Sequence, residues 1–193
     1  MDETRNRRLR LAIVIGSTRE GRRGIHVGRW FAGVARQRPE LDVDVIDLAD
    51  LALPRRHPRV RGAEVEAFAR RIDAADAFVI VTPEYNHSYP ASLKHAIDMA
   101  KREWFAKPVG FVSYGGRAGG VLAVEHLRGV FAELHAVTMR DLVALQMIGR
   151  LLDEDGGLVR PDGPEMAAKS MLDQLEWWAR TLKAGREARP YAA

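Results

Sequence analysis

Short β-branched runs alternate along the chain with stretches whose apolar residues recur every three to four positions. Leu9 to Ile15 is almost continuously apolar and predicts a buried strand. Val27, Trp30, Phe31 and Val34 follow at i, i+3, i+4 and i+7, one face of a helix. Leu41 to Leu48 alternates apolar and polar residues, the pattern of an exposed or edge strand. A proline- and arginine-rich loop, Pro54 to Arg61, separates it from a second helix on Val65, Phe68, Ala69 and Ile72. Ala77 to Val81 is an uninterrupted strand, stopped at Pro83. Leu93, Ala96, Ile97 and Ala100 predict a third helix, with Ser88 as its N-cap and Pro90 in its first turn. Val109 to Val112 is a further strand, and Ala123, Leu127, Val130, Phe131 and Leu134 a fourth helix. Ala136 to Met139 reads as a short strand, and Leu142 to Ile148 is apolar without a period. Leu172, Leu175, Ala179 and Leu182 mark the last helix.

A strand followed by a helix, five times over, implies a parallel sheet covered on both faces. The predicted fold class is α/β: a flavodoxin-like, three-layer α/β/α sandwich on a five-stranded parallel sheet in order 2-1-3-4-5. One domain spans residues 1–193, its ordered core running from about 8 to 184 between frayed tails. Asp153 to Gly157 reads as a turn. In such a sheet the ligand crevice lies at the carboxyl ends of strands 1, 3 and 4.

Composition narrows the chemistry. The chain has 193 residues, 47% of them hydrophobic and 29% charged, which argues against a disordered, collagenous or coiled-coil protein. With no cysteine there are no disulfides, zinc–cysteine sites, iron–sulfur clusters or thiol nucleophiles. The net charge is +4, and 25 of the 30 basic residues are arginine. Such planar donors suit phosphate, although arginine-rich genomes produce the same bias. No apolar run approaches the ~18 residues of a membrane span, and Leu9 to Ile15 makes a poor secretory core. The expectation is a cytoplasmic protein with no membrane or nucleic-acid partner, since no nucleic-acid motif accompanies the arginines.

The crevice rule singles out three loops. The first, Gly16-Ser17-Thr18-Arg19-Glu20-Gly21-Arg22-Arg23-Gly24, combines glycines, hydroxyls and arginines just before a helix. Backbone amides, hydroxyls and the helix dipole together make a phosphate cradle. Gly16 and Gly21 have Walker A spacing, but Arg22 and Arg23 replace its lysine and hydroxyl. Thr18 stands where a dinucleotide fingerprint needs its second glycine. A monophosphate ester such as that of FMN remains. The second loop runs from Thr82 to Pro90, with Tyr85 and Tyr89 as flat surfaces and Asn86 as an amide. The third, Ser113 to Gly120, carries four glycines that let backbone approach a flat ring, with Tyr114 at its border.

Together these loops resemble the NADPH-dependent FMN reductase family of flavodoxin-like proteins. The matching stretches are Gly16-Ser17-Thr18-Arg19, Thr82-Pro83-Glu84-Tyr85-Asn86 with Ser88-Tyr89-Pro90 and Leu93 to Asp98, and Ser113-Tyr114-Gly115-Gly116 with Gly119-Gly120. The likeness covers about Leu9 to Leu134, and the family includes flavin, quinone, azo-dye and chromate reductases. It implies that Ser17 and Arg19, with loop amides through Gly24, hold the FMN phosphate. Pro83, Glu84, Tyr85 and Asn86 line the isoalloxazine, largely through backbone, and Ser113, Tyr114, Gly115 and Gly116 border its other side. Arg22, Arg23 and Gly24 depart from the polar residues common there, and His87 stands where glycine is common.

The resemblance implies hydride transfer from NADPH or NADH through FMN to a small-molecule acceptor, with no catalytic side chain, no metal ligand and a homodimeric or homotetrameric assembly. Backbone donors of the Gly115–Gly116 turn are expected beside the flavin. His87 is a candidate donor to a phosphate or acceptor oxygen, and Arg117 a candidate for a 2′-phosphate. His26, His95 and His126 read as surface or structural residues, and Trp104-Phe105 as core or a dimer contact. The alternative is a flavodoxin-type electron carrier, against which the basic pI stands.

Overall fold

Leu9–Ile15 forms the first strand, β1, and alternate side chains enter two separate cores. Leu11, Ile13 and Ile15 face one side, Ala12 and Val14 the other. The computed structural model describes residues 8–192. β3 (Ala77–Pro83) and β4 (Pro108–Tyr114) are buried along their whole length, as continuous apolar runs in a doubly covered sheet must be. β2 (Leu41–Asp47) lies at the edge, and Asp42 and Asp44 point to solvent.

The order is β2-β1-β3-β4 and then β5 (Val137–Thr138), every pairing parallel. The predicted fifth strand is divided. β5 pairs with Pro108 and Val109, and β6 (Val143–Leu145) pairs with Val112 to Tyr114. Between them Arg128, on the preceding helix, reaches across and donates to the backbone carbonyls, to Met139 O at 2.6 Å and Arg140 O at 3.1 Å. Both pieces occupy one sheet position, so the flavodoxin-like topology is as the alternation requires.

Helices α1 (Gly24–Arg36) and α6 (Asp162–Ala188) cover one face through Val27, Phe31, Met171, Leu172 and Leu175. Helices α2 (Ala63–Ala74), α3 (Ala91–Asp98) and α4 (Val121–Glu133) cover the other. Trp104, fully buried, belongs to that second core. Its ring lies 4.5 Å from Phe78 and 5.5 Å from Phe131, and its Nε1–H reaches Ile97 O at 3.1 Å. A one-turn helix, α5 (Ile148–Leu151), follows β6.

Two expectations change. Pro90, not Ser88, is the N-cap of α3, because Ser88 is already paired with Tyr85 across a tight hairpin. α6 continues to Ala188, past the predicted end of order near 184, and Tyr191 packs edge-on to Phe105. Among the described residues no helix is long and apolar enough to cross a membrane.

Candidate functional site

β1, β3 and β4 end side by side, and their three loops enclose a cleft of about 680 Å³. Its floor is set by packing that only small residues allow. A Cβ on Gly24 would lie 2.7 Å from the Tyr114 hydroxyl, and one on Gly120 2.9 Å from Ser113 Cβ.

The first loop leaves its amides free. Gly16 N–H is used by Val81 O, and Arg22 N–H by Arg19 O. The N–H groups of Ser17 through Gly21 meet no acceptor among the described residues. α1 then begins at Gly24 behind Arg23, whose side chain does not cap it, so its first amides are also open. Arg19 and Arg23 are exposed at this loop. Arg22 is not free: its Nη1 donates to both carboxylate oxygens of Asp47, at 2.9 and 2.8 Å, straddling the end of β2. The side chains of that pair are 16% and 6% exposed, so it is a largely desolvated tie between loop and sheet.

Ser17 is fully buried and shares a 2.9 Å hydrogen bond with the Tyr85 hydroxyl. Tyr114 joins the same group of hydroxyls. Burial, then the neighbouring Tyr85 phenol, pushes its hydroxyl up, so it stays protonated.

In the second loop, Tyr85 to Ser88 closes a two-residue hairpin, with Tyr85 N–H to Ser88 O at 2.7 Å and the reverse bond at 3.0 Å. Asn86 and His87 at its tip have φ of 50° and 67°, the left-handed geometry in which glycine is preferred. Pro83, Glu84 and Tyr85 line the cleft, whereas Asn86 and His87 are exposed and lie outside its lining. The Glu84 amide bonds Tyr114 O at 3.2 Å, so it cannot serve a ligand; its carboxylate Oε2 is buried without a partner at the cleft wall. In the third loop the Gly115 amide is taken by Leu145 O at 3.2 Å, while Gly116 N–H has no acceptor among the described residues.

Of the residues singled out from sequence, Ser17, Arg19, Arg22, Arg23, Pro83, Glu84, Tyr85, Tyr114, Gly115 and Gly116 line the cleft. Gly16, Gly24, Thr82 and Ser113 stand behind it; Ser113 Oγ ties Gly119 O at 2.8 Å, and Thr82 Oγ1 donates to Pro83 O. Thr18 and Asn86 are exposed outside the lining, and so is Arg117. His26 is half-buried against Gly156 in the Asp153–Gly157 turn rather than solvent-facing. His95 Nε2 bonds Pro54 O at 2.7 Å, and His126 Nδ1 bonds Ser88 Oγ at 3.1 Å.

One wall was missed. Met147, Ile148, Gly149 and Arg150 complete the cleft lining, with Gly149 against the Arg23 guanidinium of the first loop. They are carried there by Met147 N–H to Gly116 O at 2.8 Å and Ile148 N–H to Gly115 O at 3.1 Å. The only local trace was the aperiodic apolar run ending at Ile148.

The arrangement fits FMN: open amides and free arginines at a helix N-terminus for a phosphate, and flat apolar surface with little side-chain bulk for a ring. A family described as NADPH-dependent FMN reductase matches residues 9–149, from β1 to the first turn of α5. A protein of Oryza sativa subsp. japonica, named probable NADPH:quinone oxidoreductase 1, is 35% identical over 189 residues, 91% of this chain and 94% of the rice protein. The 2-hydroxy-1,4-benzoquinone reductase of a Burkholderia species is 31% identical over 180 residues, 89% and 97% of the two chains. The solved flavoenzyme NAD(P)H:(acceptor) oxidoreductase FerB of Paracoccus denitrificans has the same fold, with a TM-score of 0.69 at 24% identity over 88% of this chain and 97% of that one. Since the match takes in the sheet and all three crevice loops, the chain belongs to the NADPH-dependent FMN reductase family.

Proposed function

We propose that the protein is an FMN-dependent oxidoreductase that passes hydride from NAD(P)H to a flat acceptor of the flavin or quinone class. The observation that carries this reading is the row of amides from Ser17 to Gly21, unpaired among the described residues, set at the open N-terminus of α1 in a cleft lined also by Pro83, Tyr85, Gly115 and Met147. When bound, FMN supplies the ring that takes up hydride and gives it to the acceptor.

The chain's own residues bind and orient. The Ser17–Gly21 amides, with Arg19 and Arg23, would hold the phosphate. Arg22 would act at one remove, keeping the loop fastened to Asp47. Ser17 and Tyr85 share their hydrogen bond beneath the loop, and Tyr114, held protonated, lies beside Ser17. The buried Glu84 Oε2 is an acceptor for a ligand N–H, and the Gly116 amide a donor to a ligand oxygen. Hydride transfer from NAD(P)H to the flavin asks no side chain to move a proton, and the proton that completes reduction of the acceptor comes from solvent, so these roles are positional.

The test is the absorbance spectrum of the purified protein, with FMN and riboflavin titrations of the wild type and of Ser17→Ala/Arg19→Ala. The expected result is FMN binding that the variant weakens roughly 10- to 100-fold, the range for hydrogen bonds to a charged group, with riboflavin affinity unchanged. Equal loss for both would remove the phosphate assignment. NADPH oxidation that needs FMN and accelerates with a quinone supports the reductase; oxidation with no acceptor turnover supports the carrier instead.

A further inference from the structure

The amino-terminal end of the sheet holds a second cavity, of about 480 Å³, far from the crevice because it lies where β3 and β4 begin rather than end. Three cations from three elements meet there: Arg102 from a 3-10 turn (Arg102–Trp104), Lys107 just before β4, and Arg186 near the end of α6. We infer that this cavity is a binding site for a small aromatic carboxylate, independent of the flavin reading.

The charge balance points to an anion. Asp76 is already committed, its Oδ2 accepting from Arg10 N at 3.0 Å and from Lys183 Nζ at 2.8 Å. Arg186 lies 3.8 Å from the other Asp76 oxygen and donates to Ala106 O. Glu103 is bound by Arg61. Asp73 also lines the cavity but is exposed near the end of α2, so three cations there face two carboxylates, and Glu187 follows Arg186 on α6. Lys107, 5% exposed, donates to Ile72 O at 3.0 Å and Asp73 O at 2.7 Å, which leaves one N–H over. Arg102 has no side-chain partner among the described residues. Burial lowers Lys107 to about 8, with Arg186 pushing the same way against Asp73 and Asp76; burial lowers Arg186 also. Burial is the main cause for both, and a bound anion would offset it.

The walls select the anion's body. The Phe105 ring lies 4.6 Å from that of His135 and 6.2 Å from that of Tyr191, and the Tyr191 hydroxyl bonds His135 Nδ1 at 2.9 Å. Phe105 and Tyr191 are therefore fixed flat surfaces on the cavity. A guanidinium fork beside them suits a planar carboxylate.

The test is calorimetric titration of the full chain with benzoate at pH 8, in two buffers of different ionisation enthalpy, with and without FMN. Binding raises the Lys107 pKa, so up to about half a proton should be taken up per benzoate. FMN should leave the affinity unchanged. Arg102→Ala, an exposed position whose loss spares the fold, should weaken benzoate at least tenfold. Acetate and benzyl alcohol should each bind at least tenfold more weakly than benzoate. Competition by FMN, unaltered binding in Arg102→Ala, no proton uptake, or acetate binding as well as benzoate would each overturn the inference.

Discussion

Removing Arg22 should damage the protein more than removing the charge of its partner. Arg22 Nη1 spans the two Asp47 oxygens at 2.8 and 2.9 Å, and Asp47 Oδ1 also accepts from Ala49 N at 3.1 Å, capping the 3-10 turn at Leu48–Asp50. With side-chain exposures of 16% and 6%, the two partners are not equivalent. Arg22→Met strands a nearly buried carboxylate with one backbone donor. Stranding a fully buried charge costs about 3–5 kcal/mol, and the residual donor and partial access bring this to roughly 2–4 kcal/mol. Asp47→Asn keeps the cap acceptor and leaves a guanidinium able to turn toward solvent, at about 1–2 kcal/mol. The double variant no longer strands either charge, so its cost should fall short of the sum by about 1–3 kcal/mol. Urea unfolding of the four proteins gives all three quantities. If Asp47→Asn costs as much as Arg22→Met, or if the two costs add, the tie is a solvated surface pair and the reasoning fails.

Three further outcomes follow from the geometry. His87 sits at φ 67° in the Tyr85–Ser88 hairpin, so His87→Gly should raise stability by about 0.5–1 kcal/mol, seen as a higher Tm; no change would mean the turn is unstrained. A Cβ on Gly28 would stand 2.4 Å from Ile15 Cδ1, so Gly28→Ala should cost about 1–3 kcal/mol in urea without altering FMN affinity, since the clash is one turn inside α1. Burial holds Lys107 at about 8 against an ordinary 10.5. Between those values the unfolded chain binds a proton that the native state lacks, so stability rises with pH there, by up to about 3 kcal/mol. Lys107→Met should lose that rise, and parallel stability–pH curves for the two proteins would refute it.

Much of the architecture was legible because it rests on local periodicity. Continuous apolar runs at Leu9–Ile15 and Ala77–Val81 can be buried on both faces only in a covered parallel sheet, and the alternating aspartates of β2 mark an edge. The cleft loops were legible because crevices form where such strands end. The divided fifth strand was not: Arg128, one helix away, holds the backbone between β5 and β6, and no periodicity records that bond. Nor was the wall of Met147 to Arg150, whose place depends on backbone bonds to Gly115 and Gly116 some thirty residues earlier.

The sequence by itself determined the layer order, the three loops that meet at one edge, and the residue types that suit a phosphate and a flat ring. Tertiary structure decided which of those groups remain available. Arg22 is claimed by Asp47, the Gly115 amide by Leu145 O and the Glu84 amide by Tyr114 O. The Ser17–Gly21 amides and Glu84 Oε2 are left unpaired among the described residues. Periodicity reports burial, which is a property of each residue and its near neighbours. Availability is settled by which distant donor or acceptor arrives first, and only the folded chain brings those partners within hydrogen-bonding distance.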